Sequence, residues 1–301
     1  MSRSDSTRIK GMIPPIATPI NADESVDATG MRNLVSYLID QGVHGLFVLG
    51  GTGEFYTFPD REKARAIEIV VDEASGRVPV LAGITDLSTR RAVENARVAE
   101  QSGADFLVSM PPFFFSMKQE WHYNFYTALA DQTETPLLLY NILNPIQTNI
   151  QPETVSKLSR RSDIVGIKDS AEFGHVQDVV FATKESDFRV LSGLEQHLHA
   201  SLNIGAVGGV LMFANLCPRL CVDLYEMSLT GCAKEALELQ HKLNQLLADL
   251  MAANFSSGWG IVKMSLNLRG ICSKTVTHPM PSCAEKERPI LERIMQQYEL
   301  L

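Results

Sequence analysis

The sequence predicts an α/β protein, a (β/α)₈ TIM barrel with a C-terminal helical extension. Short apolar segments alternate with longer amphipathic segments up to about residue 218. This alternation indicates a parallel sheet, because parallel strands are joined by helical crossovers. The apolar segments, such as Gly-Leu-Phe-Val-Leu at 45–49, are hydrophobic on both faces, as strands covered on both sides are. About eight such units suit a closed barrel better than an open sheet.

Each element follows from the hydrophobic periodicity of its segment. The predicted strands are 11–18, 44–49, 78–82, 105–109, 136–140, 164–168, 188–191 and 206–211. Helical periodicity, with Asp, Ser or Pro near several starts, predicts helices at 27–41, 60–74, 88–101 and 118–132.

The end of the chain has a different pattern. From about residue 218 it is helical, through 233–251 and 286–298. We therefore divide the chain into a barrel, 1–220, and a helical region packed on it, 221–301. A doubly wound nucleotide-binding sheet is the alternative fold, but it requires G-x-G-x-x-G after the first strand. That turn reads Ile-Pro-Pro-Ile-Ala-Thr-Pro here.

The composition excludes several classes of protein. The formal net charge is -8 without a cluster of Lys or Arg, so nucleic acid is not an expected partner. No segment approaches the roughly 20 apolar residues of a bilayer span, and residues 1–10 lack the apolar core of a signal peptide. We therefore expect no membrane association and a cytoplasmic location. The five cysteines include no C-x-x-C pair, so neither a disulfide framework nor a metal site is expected.

Lys168 is the most informative single residue. It closes the sixth predicted strand, in Asp-Ile-Val-Gly-Ile-Lys-Asp-Ser, and TIM-barrel active sites are built at the carboxyl ends of the strands. Burial favours the neutral amine of a lysine, which can attack a carbonyl carbon and form an imine. The alternative is a strand-end lysine that reaches solvent or pairs with Asp169.

Two further segments lie at the same predicted mouth. Tyr140 closes the fifth strand in Leu-Leu-Leu-Tyr-Asn, where its phenol could transfer protons or pack and hydrogen-bond locally. Gly-Gly-Thr-Gly-Glu at 50–54 follows the second strand. Such a loop can gather backbone N–H groups around a carboxylate, with Thr52 adding a hydroxyl, although it can also be a tight connection. No lysine follows it, as a phosphate loop would require.

Together, the motifs at 50–54, 140–141 and 166–169 resemble the dihydrodipicolinate synthase / N-acetylneuraminate lyase family of class I, Schiff-base-forming aldolases. The likeness covers nearly the whole chain, including Pro-Val-Leu-Ala-Gly at 79–83 and Ser-Gly at 192–193. It implies a small-molecule keto acid substrate with a pyruvate moiety, no cofactor or metal, and a homotetramer built as a dimer of dimers.

The resemblance also implies roles for five residues. Lys168 would form the imine with pyruvate or a 2-keto acid, and Tyr140 would be the proton shuttle. Thr52, with the N–H groups of Gly51 and Thr52, would hold the carboxylate of the keto acid. Val210 would line the floor of the site through its backbone carbonyl.

Departures from the family pattern bear on the substrate. Members that make dihydrodipicolinate have a second hydroxyl residue where Gly51 stands, and a tyrosine donated across a dimer interface in the segment that reads Phe-Phe-Phe at 113–115 here. They also carry an arginine shortly after Tyr-Asn, where 144–148 reads Asn-Pro-Ile-Gln-Thr. The expected function is therefore a 2-keto-3-deoxy sugar acid aldolase. The alternatives are 4-hydroxy-tetrahydrodipicolinate (dihydrodipicolinate) synthase, a 5-keto-4-deoxyglucarate-type dehydratase, N-acetylneuraminate lyase, and a barrel that binds a keto acid without turning it over.

Other polar residues near these motifs are expected to be structural. Glu54 would brace the loop or an interface, and Asp169 and Asn141 would be neighbours of the active pair. His197 and His199 are two residues apart and so face different sides of a helix, which argues against a shared metal. The 113–115 segment is either an interface patch or a wall of the pocket.

Overall fold

The computed structural model describes residues 5–143 and 149–301, and its centre is a sheet of eight parallel strands. The strands are β1 Gly11–Met12, β2 Leu46–Val48, β3 Val80–Gly83, β4 Phe106–Ser109, β5 Leu137–Ile142, β6 Ile164–Ser170, β7 Arg189–Ser192 and β8 Gly208–Gly209. Their order is β1-β8-β7-β6-β5-β4-β3-β2. A parallel bridge between Pro15 and Phe47 joins the two ends of the sheet. The predicted TIM barrel is confirmed.

Three strands differ in length from the prediction in a way that affects the site. The first is short, because Pro14 and Pro15 have no N–H to donate to a ladder. The fifth and sixth, in contrast, pair two residues beyond their predicted ends, through Asn141–Asp169 and Ile142–Ser170. Tyr140 and Lys168 therefore lie inside paired strands, which hold their backbones more firmly than a strand end would.

Helices alternate with these strands and cover the outside of the barrel. They are α1 Ala28–Asp40, α2 Asp60–Ala74, α3 Thr89–Gln101, α4 Gln119–Ala130, α5 Pro152–Leu158, α6 Phe173–Thr183, α7 Leu198–Asn203 and α8 Pro218–Leu229. Helix α1 begins where the Asp27 side chain accepts a hydrogen bond from the Gly30 N–H. Such N-caps satisfy backbone donors that a helix leaves unpaired. The four predicted helices are found within two residues of their expected bounds.

The C-terminal region packs three more helices on the barrel within the described residues: α9 Ala233–Ala252, α10 Gly258–Leu268 and α11 Arg288–Gln297. The predicted division after residue 220 falls inside α8, and α8 contacts β1. Helix α10 was not predicted, because residues 260–266 are all buried and leave no polar face to mark a helix. In the part of the chain that is described, no helix is both long and apolar enough to cross a bilayer.

Candidate active site

A cavity of about 360 Å³ opens at the carboxyl ends of the strands. All five residues predicted for the site line it: Gly51, Thr52, Tyr140, Lys168 and Val210. They come from four separate places in the chain, which the barrel brings together at one mouth. The volume suits a small molecule.

Lys168 lies deep in this cavity beside Tyr140. The two residues are paired neighbours on β6 and β5, and each residue is 5% exposed. Lys168 Nζ lies 4.1 Å from the centroid of the Tyr140 ring and 5.4 Å from that of Phe47. Both contacts are with aromatic rings, which offer the nitrogen no fixed hydrogen-bond acceptor. The lysine neither reaches solvent nor pairs with Asp169, whose carboxylate is engaged elsewhere.

Asp169 and Asn141, which follow the two central residues in sequence, form a buried polar pair behind them. The Asn141 amide donates to Asp169 Oδ1 at 2.9 Å, and the Asn141 side-chain oxygen accepts from the Ile150 N–H at 2.9 Å. Asp169 Oδ2 lies 2.7 Å from His175 Nδ1. These contacts join the ends of β5 and β6, so both residues have the structural setting that was expected of them.

The loop at 50–54 presents its backbone to the cavity. Among hydrogen bonds between described residues, no backbone carbonyl accepts from the N–H of Gly51 or Thr52. Gly50 is required here, because a Cβ would lie 2.8 Å from the Phe47 ring. At Gly51 there is room, since the nearest atom to a Cβ would be the Tyr140 hydroxyl oxygen at 4.0 Å. Two free donors and the Thr52 hydroxyl can accept an anion such as a carboxylate.

Glu54 fastens this loop to the C-terminal region. Its carboxylate is fully buried and lies 2.7 Å from Lys263 Nζ, which is 1% exposed. The backbone N–H and the hydroxyl of Thr277 donate to the other oxygen at 2.8 and 2.6 Å. Burial lowers the pKa of Lys263, and the charge of Glu54 opposes that effect. Glu54 thus braces the loop, as expected, and does not line the cavity.

Trp259, on α10, was not anticipated from the sequence. Its indole N–H donates to the Gly51 carbonyl at 2.9 Å, and the side chain lines the cavity. The contact joins residues 208 positions apart, so no local sequence pattern predicts it. A tryptophan in an otherwise apolar segment is the one available signal, since a buried indole usually finds an acceptor.

Glu195 is the second unanticipated residue, and it lies in the short helix that follows β7. It lines the cavity and is 7% exposed. Burial raises its pKa, while the hydrogen bond from the Phe213 N–H, 3.0 Å long, and the charge of Lys168 act against that rise. Glu195 also fixes the turn after β8 that carries Val210. Its position two residues after the Ser-Gly pair at 192–193 is a signal that could have found it.

The remaining predicted residues lie outside the cavity lining. Phe114 and Phe115 are 74% and 75% exposed and stack edge to face, so in this chain they form a surface patch. His197 and His199 bond separately to Ser201 and Ser228. No group of three or more His, Cys, Asp or Glu among the described residues is arranged to hold a metal. The segment 144–148, where the family arginine was sought, lies outside the described residues.

A buried lysine at the mouth of a (β/α)₈ barrel is the arrangement of a class I aldolase, which activates a carbonyl substrate as an imine. Comparison with known proteins gives the same class. Residues 8–298 match the model of the dihydrodipicolinate synthetase family. The chain belongs to this family, and it is a lyase of the class I, pyruvate-dependent aldolase type.

Similar proteins span the same length. The chain is 36% identical over 298 residues to a 4-hydroxy-tetrahydrodipicolinate synthase of Methanopyrus kandleri, with 98% of each chain covered. It is 32% identical to an uncharacterized DapA-like lyase of Halobacterium salinarum, covering 99% of this chain and 96% of the other. Among solved structures, the pyruvate complex of YagE, a prophage protein of the same family from E. coli K12, superposes with a TM-score of 0.91 at 28% identity, covering 97% of this chain and 99% of that one.

Proposed function

We propose that Lys168 forms an imine with the keto carbon of pyruvate or of a larger 2-keto acid. The observation that carries the proposal is the position of Lys168 Nζ, buried at 4.1 Å from the Tyr140 ring while Asp169 is bonded to other groups. In this reaction the neutral amine adds to the carbonyl carbon, and the resulting carbinolamine loses water to leave the imine. Once protonated, the imine withdraws electrons from the adjacent carbon, which makes proton loss or C–C cleavage accessible.

Tyr140 would move protons in these steps, and the loop at 50–54 would bind the carboxylate. The hydroxyl of Tyr140 lies near Gly51, so one end of the keto acid can meet the tyrosine and the other the free N–H groups of Gly51 and Thr52. Val210 would form the floor, and its own N–H already donates to the Ser192 carbonyl at 2.8 Å. A preorganised cradle of this kind needs no rearrangement when the charge arrives.

The leading candidate for the overall reaction is 4-hydroxy-tetrahydrodipicolinate synthesis, in which the pyruvate-derived enamine condenses with an aldehyde. Full-length similarity at 36% identity to a protein of that name supports it. Of the sequence-based expectations, this alternative has better support from the relatives than the sugar acid aldolase does.

The second candidate is the aldolase for 2-keto-3-deoxy sugar acids. The specific observation that favours it is that Gly51 has no side chain although there is room for one. A Cβ at this position would lie 4.0 Å from its nearest neighbour, the Tyr140 hydroxyl oxygen. The cavity therefore lacks one hydroxyl that dihydrodipicolinate-forming members place at this point. In an aldolase, the same enamine would be produced by C–C cleavage and then protonated to pyruvate.

The assembly proposed from the family resemblance is a cytoplasmic homotetramer, a dimer of dimers. The exposed Phe114 and Phe115 support a covered face in such an assembly, since large apolar patches on a surface often mark an interface. Light scattering of the purified protein should give a mass near four chains. A mass near one chain would contradict the proposal.

Borohydride reduction in the presence of pyruvate tests the imine, because reduction converts it to a stable secondary amine. We expect one pyruvyl adduct, and peptide mapping should locate it on Lys168. Lys263, the other deeply buried lysine, serves as the internal control and should stay unmodified. An adduct on a different lysine would refute the assignment.

The consumption or release of pyruvate distinguishes the two candidate overall reactions. Synthase activity consumes pyruvate when the aldehyde co-substrate is present, whereas the aldolase releases pyruvate from a 2-keto-3-deoxy sugar acid. A lactate dehydrogenase assay measures both. Release without consumption would favour the second candidate over the first.

A further inference from the structure

His175, at the start of α6, lies directly behind the two central residues of the site. Its Nδ1 is 2.7 Å from Asp169 Oδ2, and its Nε2 is 3.1 Å from the Ile150 carbonyl oxygen. Asp169 and Ile150 are also joined through Asn141, which bonds to both. The four residues form a closed ring of hydrogen bonds. Two of its members, Asn141 and Asp169, immediately follow Tyr140 and Lys168 in sequence.

Both partners of the imidazole are oxygen atoms that accept hydrogen bonds, and this bears on the protonation state of the ring. A carboxylate oxygen and a carbonyl oxygen cannot donate, and a neutral imidazole has a single N–H. In either neutral tautomer one ring nitrogen would point a lone pair at an oxygen atom. The imidazolium, with an N–H at both nitrogens, satisfies both contacts, so the arrangement favours the cation.

The charges around the ring agree with this requirement. Burial acts to lower the pKa of His175, but the hydrogen bond and charge of Asp169, the Ile150 carbonyl and the charge of Asp178 on the same helix outweigh it, so the pKa is raised. Asp169 itself is fully buried. The neighbouring His197 also feels the charge of Asp169, but burial lowers its pKa. Of these two histidines, His175 is therefore the one whose pKa is raised.

We propose that His175 is a positioning residue of this active site, and that in its charged form it holds the ends of β5 and β6 together and so keeps Tyr140 and Lys168 in reacting geometry. The inference rests on the proposed roles of those two residues. Because the pKa of His175 is raised in the folded state, the stabilisation from the charged ring is present below the ordinary pKa of a histidine and is lost as the pH rises through the raised pKa. Activity should therefore have an alkaline limb set by His175.

The exchange of pyruvate methyl protons with D₂O provides an assay that needs no second substrate. The protonated imine loses a methyl proton to give the enamine, which takes a deuteron from the site, and NMR follows the loss of the methyl signal. We expect His175→Gln, whose side chain is neutral at every pH, to slow exchange about 10-fold or more at neutral pH, since small displacements of reacting groups are costly. The alkaline limb of its pH profile should also disappear.

Two further variants separate a titrating role from a merely structural one. His175→Lys can donate to both oxygens and stays charged to higher pH, so it should restore exchange and move the alkaline limb upward. His278→Gln is the matched control, since His278 also contacts a carboxylate, Glu24, at 2.6 Å but is 87% exposed. It should leave the profile unchanged. In the wild-type protein, ¹⁵N NMR should show both ring nitrogens of His175 protonated at neutral pH.

The inference is overturned if borohydride traps the pyruvyl adduct while His175→Gln keeps the wild-type rate and pH profile. A neutral His175 ring at the pH of maximal exchange would overturn it as well. Absence of the adduct from the folded wild-type protein is a different result, because it rejects the proposed function of Lys168 and leaves the NMR prediction for His175 standing.

Discussion

The Lys263→Met substitution would remove the positive charge from the buried ion pair that holds the loop at 50–54. Lys263 and Glu54 are 1% and 0% exposed, and the distance between Nζ and Oε1 is 2.7 Å. Removal of one partner from such a pair costs about 3–5 kcal/mol, because the other charge stays buried without compensation. The two hydrogen bonds from Thr277 still stabilise the carboxylate. We therefore expect a loss near 3 kcal/mol in the free energy of unfolding.

A double variant distinguishes this explanation from a simple packing defect. Glu54→Gln removes the negative charge that Lys263→Met leaves without a partner, and the amide oxygen of the glutamine can still accept hydrogen bonds from Thr277. The double variant Lys263→Met/Glu54→Gln should therefore be more stable than Lys263→Met alone by about 2 kcal/mol, because it no longer buries an uncompensated charge. Urea denaturation followed by tryptophan fluorescence measures both values.

The same variant should weaken the site, because α10 carries both Lys263 and Trp259. Loosening of this helix would release the Gly51 carbonyl and disorder the N–H groups that are proposed to hold the carboxylate. The concentration of pyruvate that gives half-maximal trapping should rise in Lys263→Met. A cost below about 1 kcal/mol, which is typical of exposed ion pairs, would refute the view that this pair fastens the loop.

Three further substitutions test individual contacts of the site. Trp259→Phe keeps an aromatic ring but loses the hydrogen bond to Gly51, which is worth about 1 kcal/mol, so trapping should require about 5-fold more pyruvate. An unchanged pyruvate requirement would contradict a role for this contact. Gly51→Ser should fold normally, with a change in stability within about 0.5 kcal/mol, and should raise the rate of condensation measured by pyruvate consumption; a clear loss of stability would show that the space beside Gly51 is not available. Tyr140→Phe should still give the borohydride adduct, while methyl exchange falls about 100-fold; exchange at the wild-type rate would remove Tyr140 from the proton path.

The sequence predicted those parts of the site that depend on strand ends. Lys168 and Tyr140 each close an apolar run, and a barrel brings the carboxyl ends of all its strands to one mouth. The Gly-rich loop follows a strand in the same way. For these residues, position along the chain is enough to fix position in space, and the structure brings all five predicted residues into one cavity.

The contacts that sequence patterns did not reveal are long-range ones. The bond from Trp259 to Gly51 and the pair formed by Lys263 and Glu54 join the barrel to a helix more than 200 positions away. Helix α10 is buried on all sides, so it lacks the amphipathic period that identifies a helix. His175 was missed for a related reason, since its role depends on which atoms of other segments face its two nitrogens.

The central claim is that Lys168 forms an imine with a keto acid whose carboxylate is held by the loop at 50–54. A crystal structure of the protein soaked with pyruvate tests it most directly. We predict continuous electron density from Lys168 Nζ to the keto carbon, with the carboxylate within hydrogen-bonding distance of Thr52 and of the N–H groups of Gly51 and Thr52. Pyruvate that is bound without a covalent link, or in another part of the barrel, would contradict the account.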